Sequence, residues 1–85
     1  MHRILFSKQA DKTLRKMPRN MALLIRRKLE HLSSDPFASN ANVTKLQGRP
    51  GYRLRVGDWR IIYDVEDDRL VIEVLRISPR GGVYQ

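Results

Sequence analysis

The chain contains no cysteine, so neither a disulfide nor a thiolate–metal site braces it. It has no apolar run near the roughly 18 residues of a membrane span. Its first residues, Met1-His2-Arg3-Ile4-Leu5-Phe6, turn polar too quickly for a signal peptide. Metal-ligand spacings, a Ser-His-Asp set, a Walker loop, a dinucleotide fingerprint and paired glycosidase-like carboxylates are all missing. No metal and no cofactor is therefore expected. Acids are scarce as well, nine against 17 bases, which leaves a net charge of +8. These absences describe a small protein suited to a reducing compartment. It is expected to be soluble and cytoplasmic, with no membrane partner. At 85 residues it makes one domain, spanning 1–85. A chain this short buries roughly 60% of its unfolded surface, so the core is expected to be thin.

What is present is charge, unevenly placed. Residues 1–33 carry a net +7 and residues 49–63 a net +3, whereas residues 64–75 carry −4. A chain polarised in this way suits a polyanionic partner. A basic surface kept for solubility is the alternative.

The hydrophobic pattern divides the chain. His2–Phe6 is a short strand candidate, and the Ser7 hydroxyl is placed to cap a helix. Ala10, Leu14 and Met17 form one apolar stripe at helical spacing. Pro18 interrupts it, because proline lacks the helical donor and disfavours helix at the preceding residue. Met21, Leu24, Ile25, Lys28, Leu29 and Leu32 continue with helical period, and the second helix is expected to end near Ser33-Ser34. The two helices form an α-hairpin. Residues 37–50 read as loop, with Asn40, Asn42, Gly48 and Pro50 as breakers. Three strands follow: Tyr52–Val56, Trp59–Val65, and Leu70–Leu75 continuing to about Ile77. The turns fall at Gly57-Asp58 and Asp67-Asp68.

A two-residue turn at Gly57-Asp58 dictates the pairing of its strands. Val56 then faces Trp59, Arg55 faces Arg60, Leu54 faces Ile61, Arg53 faces Ile62 and Tyr52 faces Tyr63. Because side chains alternate, Tyr52, Leu54, Val56, Trp59, Ile61 and Tyr63 share an apolar face suited to the helices. Arg53, Arg55 and Arg60 share the other face. Like charges directly opposite one another cost roughly 0.2–1 kcal/mol. A phosphate between the guanidiniums would turn that repulsion into charge-assisted hydrogen bonds. Neutralisation by Asp58, Asp64 or Glu73, or splaying into water, is the alternative. Glu73 falls opposite Ile62 if Asp67-Asp68 is a two-residue turn. Arg80 and Tyr84 follow the last strand on a glycine-rich tail. Tyr84 is either a stacking platform for a base or a frayed terminal aromatic. His2 and His31 read as surface residues. Arg26-Arg27-Lys28 reads as a solvated helix face, with contact to ribosomal RNA as the alternative.

Tyr52-Arg53-Leu54-Arg55-Val56-Gly57-Asp58-Trp59-Arg60-Ile61-Ile62-Tyr63 resembles the signature hairpin of the RelE/ParE toxin superfamily. Lys45-Leu46-Gln47-Gly48 resembles the family's Lys-Leu-x-Gly segment. Asp35-Pro36, and Arg80 with Val83-Tyr84, match its layout. The resemblance covers essentially the whole chain. It implies an α+β, RelE-like β-α-α-β-β-β fold, with a helical hairpin on a twisted, mainly antiparallel four-stranded sheet. It also implies the toxin of a type II toxin–antitoxin system, held in a heteromeric complex by a cognate antitoxin.

In the RelE branch the toxin enters the ribosomal A site and cuts messenger RNA by attack of a ribose 2′-hydroxyl on the adjacent phosphate. The resemblance places the functional positions at Arg53, Arg55, Arg60, Arg80 and Tyr84. Arg60 and Arg80 would hold the scissile phosphate, Arg53 and Arg55 the backbone, and Tyr84 a base. Lys45, Arg49, Arg26 and Arg27 are further candidates for RNA contact. Some relatives carry lysine where this chain has Arg53 and Arg55, and histidine where it has Pro79. Arginine is a poor general base, so cleavage is expected on the ribosome and not on free RNA. A ParE-like inhibitor of DNA gyrase and a non-catalytic RNA-binding homologue are the alternatives.

Overall fold

The computed structural model describes residues 1–79. Strand β1 (Arg3–Phe6) leads into helices α1 (Lys8–Lys16) and α2 (Arg19–Ser34). Strands β2 (Val43–Lys45), β3 (Tyr52–Val56), β4 (Trp59–Glu66) and β5 (Val71–Pro79) follow. They form one sheet in the order β1-β5-β4-β3-β2. The β1–β5 pair is parallel and the other three pairs are antiparallel. The α+β architecture is as expected, but the sheet has five strands and not four.

Local chemistry explains both helix boundaries. Ser7 is the N-cap of α1, and its hydroxyl accepts a hydrogen bond from the Ala10 amide at 3.0 Å. Met17 is extended, as a residue before proline prefers, and α2 restarts after Pro18. Ala10 and Leu14 are buried on α1 with Met17 just past its end, and Ile25, Leu29 and Leu32 on α2. The apolar stripe of α2 is narrower than its period suggested, since Leu24 and Lys28 are exposed. The helices cover one side of the sheet, meeting Leu54, Val56, Ile61, Tyr63, Ile72, Val74 and Ile77.

The β3–β4 hairpin has the expected register at all five pairs, from Val56 opposite Trp59 to Tyr52 opposite Tyr63. Gly57 sits at φ 58°, the left-handed conformation this tight turn needs. Elsewhere the structure corrects the sequence reading. The segment expected as loop contains β2, which pairs Val43, Thr44 and Lys45 with Leu54, Arg53 and Tyr52. The β4–β5 connection is not a two-residue turn. It is a short 3-10 turn, Asp67–Arg69, closed by Leu70 in the left-handed conformation at φ 53°. The longer connection, with a β-bulge farther along β5, places Glu73 opposite Asp64 and Arg76 opposite Ile62. His2 is not a plain surface residue. Its side chain is 9% exposed, and its Nε2 lies 2.9 Å from Asp67 Oδ1. His31 is exposed, as expected.

Candidate nucleic-acid interface

The sheet face turned away from the helices carries the charges. Strand alternation and the observed register put Thr44 of β2, Arg53 of β3, Ile62 of β4 and Arg76 of β5 in one row across it. Arg55, Arg60 and Ser78 make the next row. Arg53 and Arg60 are half-buried, and Arg55 and Arg76 are exposed.

Arg55 and Arg60 are directly opposed. The Arg55 amide donates to the Asn42 carbonyl at 2.9 Å, on the side away from β4. Arg55 and Arg60 are therefore a non-hydrogen-bonded pair, the closer of the two antiparallel spacings, with Cα atoms roughly 4.5 Å apart. Among the described residues, none of Arg53, Arg55, Arg60 and Arg76 forms an ion pair. Asp58, Asp64 and Glu73 do not neutralise them. Asp64 instead accepts a hydrogen bond from the Val65 amide.

Arg53, Arg55 and Arg60 line a cleft of about 240 Å³ together with Trp59. Trp59 is half-buried, and it packs against the core while walling this cleft. A second concavity of about 280 Å³, lined by Ala41, Asn42, Thr44, Arg53 and Arg55, adjoins it. Arg53 and Arg55 border both, so the two form one basic groove. Guanidiniums present forked donors that match phosphate oxygens, and they stay charged at all physiological pH. The groove can therefore bind a phosphodiester and offset charge that develops on it. Among the described residues, its lining holds no histidine, lysine or carboxylate to carry a proton, and the wider arginine face holds no histidine and no lysine.

The remaining sequence-derived candidates lie elsewhere. Lys45 pairs with Tyr52, which gives it the helix-side orientation on the outer edge strand. Arg49 is exposed in the bend before β3. Arg26 places its guanidinium carbon 5.3 Å from the centre of the Phe6 ring. Arg27 is exposed on α2 beside Lys28 and His31. Arg80 and Tyr84 lie outside the described residues. Arg76 is the member of the face that alternation alone misses. The signal is present, however. Buried Ile72, Val74 and Ile77 change spacing from two to three, as a bulge requires.

Beneath the groove, Tyr52 and Tyr63 stack with ring centres 5.5 Å apart. Tyr63 is fully buried, and among the described residues its hydroxyl has no hydrogen-bond partner. Burial, with a smaller contribution from Tyr52, pushes its pKa up to about 12.

Comparison with known proteins agrees with this geometry. No curated protein sequence matches the chain significantly. The family model described as the ParE toxin of type II toxin–antitoxin system, parDE, matches residues 4–84. The RelE of the archaeal RelE–RelB complex from Pyrococcus horikoshii is 32% identical, with TM-score 0.82 over 95% of this chain and 97% of that one. The isolated E. coli RelE toxin is 27% identical, with TM-score 0.80 over 99% of this chain and 92% of that one. The YoeB/ParE toxin from Agrobacterium tumefaciens is 16% identical and shares the fold, with TM-score 0.77 over 91% of this chain and 96% of that one. The fold of two helices on one side of a five-stranded sheet is thus shared over nearly the whole chain, and the protein belongs to the ParE toxin family, within the RelE/ParE superfamily of type II toxins.

Proposed function

We propose that this toxin is a ribosome-dependent mRNA endonuclease that stops translation. The observation that carries the reading is the opposed Arg55–Arg60 pair, which has no ion-pair partner among the described residues and shares a cleft with Arg53 on the uncovered face of the sheet. That arrangement costs stability when empty and is relieved by a phosphate. In the proposed reaction the ribose 2′-oxygen bonds to the adjacent phosphorus and the bond from phosphorus to the 5′-oxygen breaks. The products are a cyclic phosphate and a free 5′-hydroxyl. The 2′-hydroxyl proton leaves to a base, and the 5′-oxygen gains one. Arg60, with Arg80, would hold the scissile phosphate and offset its growing charge. Arg53 and Arg55 would hold the backbone in line for attack. Tyr84 would stack on a base. Lys45, Arg49, Arg26 and Arg27 would contact RNA outside the groove. Because arginine does not serve as a base at neutral pH, the ribosome would supply what the groove lacks.

A cognate antitoxin is the second partner. Two of the similar structures are RelE–RelB and RelBE complexes, and a chain with net charge +8 suits an acidic wrapping partner. The ParE description of the matching family model favours a different target, DNA gyrase, for which a phosphate-binding groove is not needed. Mapping message ends and gyrase-linked DNA breaks after induction separates the two. In-frame cuts on translated messages, lost in Arg60→Ala while the folded protein persists, are the expected result. Gyrase-linked breaks with intact messages, or full toxicity in Arg60→Ala, would overturn the proposal.

A further inference from the structure

The uncovered face is divided into a basic and an acidic half, and a bulge in β5 draws the line between them. From Glu66 opposite Val71 to Tyr63 opposite Val74 the pairing is regular. The next pair is Ile62 with Arg76, so Leu75 is the extra residue. Without that insertion Leu75 and Ile77 would share the face of Arg60, and Arg76 and Ser78 would point into the core.

The first turn of α1 holds the bulge. Strand β1 ends at Phe6, leaving the outer edge of β5 without a strand neighbour beyond Val74. The Ser7 amide donates to the Val74 carbonyl at 2.9 Å, and the Ser7 hydroxyl donates to the Leu75 carbonyl at 2.8 Å. Gln9 completes the edge with its side-chain amide. Its Nε2 donates to the Ile77 carbonyl at 2.9 Å, and its Oε1 accepts from the Ile77 amide at 3.0 Å.

The outcome is a fourth guanidinium, Arg76, two strands from Arg53 in the same row. At roughly 4.8 Å per strand, the two backbones stand about 10 Å apart. Next to that row, toward the Asp67–Arg69 turn, Asp64 lies opposite Glu73. Glu66 follows on the same face and accepts a hydrogen bond from Arg69 Nη1 at 2.6 Å, and its closeness to Glu73 holds the Glu66 carboxyl below and the Glu73 carboxyl above the ordinary range. A polyanion running lengthwise along the strands would pass from guanidiniums straight onto carboxylates. One running across them stays on arginine from β3 to β5.

We propose that single-stranded RNA crosses this sheet perpendicular to its strands, with Arg76 as a phosphate contact on the β5 side and the Asp64–Glu73–Glu66 row as the wall that forbids the lengthwise path. The proposal rests on the RNA-binding reading above and adds to it a direction and a residue.

The test is binding, not cleavage. Fluorescence anisotropy of a labelled single-stranded RNA oligonucleotide is followed as salt rises, with purified wild-type toxin and its Arg76→Gln, Arg60→Gln and Asp64→Asn/Glu73→Gln variants, each checked for folding by circular dichroism. Loss of one phosphate contact lowers the slope of log K against log salt by about 0.7, which amounts to roughly fivefold in affinity at 0.1 M salt. Arg76→Gln is expected to show both changes, and the acidic double variant to bind more tightly than wild type. If Arg60→Gln weakens binding while Arg76→Gln leaves affinity and slope unchanged, the proposed track is wrong and the RNA reading survives. Weaker binding by the acidic double variant would likewise overturn the wall. If wild type shows no salt-dependent RNA binding, the RNA reading fails and the track fails with it.

Discussion

Neutralising either member of the Arg55–Arg60 pair should raise stability and lower function together. The two residues face each other at a close, non-hydrogen-bonded position, and neither has a carboxylate partner among the described residues. Glutamine keeps most of the aliphatic stem that packs on the sheet and removes the charge. Arg55→Gln and Arg60→Gln are each expected to stabilise the fold by roughly 0.2–1 kcal/mol, the usual cost of like charges opposed across strands. The double variant should gain no more than either single one, since one substitution already ends the repulsion. A double-mutant cycle then returns a repulsive coupling of the same size. For a chain of this length each kcal/mol moves the melting temperature by about 4–8 °C, so the shift is readable by thermal or urea unfolding. It should be largest near 0.01 M salt, where screening sets in only beyond about 30 Å, and should fade toward 1 M. RNA binding and toxicity should fall in all three variants. An attractive coupling, or one that salt does not change, would mean that the guanidiniums are already held apart or paired. The argument for an anion site would then be lost.

Two further perturbations probe what supports the groove. Tyr63→Phe removes a buried hydroxyl that has no partner among the described residues, and should stabilise the protein by about 1 kcal/mol at neutral pH. Because folding raises the Tyr63 pKa from 10.0 to about 12, the unfolded chain releases its proton first as pH rises. Stability present below pH 10 is then lost between 10 and 12, by roughly 2–3 kcal/mol at about 1.36 kcal/mol per pH unit. The advantage of Tyr63→Phe should widen over that window in unfolding measurements, and a constant gap would contradict it. Gln9→Ala strips the Ile77 amide and carbonyl of their shared partner, at a cost of about 1–3 kcal/mol. Hydrogen exchange should show lost protection centred on the Ile77 amide, and unchanged protection there would rule out the clip.

Much of this protein is decided by neighbours in sequence. Ser7 capping α1, Pro18 separating the helices, and the Gly57-Asp58 turn with its alternating strands each act over a few residues. The placement of Arg53, Arg55 and Arg60 on one face therefore follows from the sequence alone. What remained hidden depends on partners far along the chain. Val43–Lys45 becomes a strand because β3 offers a free edge, not through its own short polar sequence. His2 is not free in solvent but meets Asp67, 65 residues away along the chain. The bulge that brings Arg76 beside the other arginines is stabilised by Gln9, 68 residues distant. Local alternation determined which three guanidiniums stand together. The assembled sheet decided the fourth, and the acidic row beside it, because a one-residue shift in pairing inverts every side chain beyond it, and only long-range contacts select that shift.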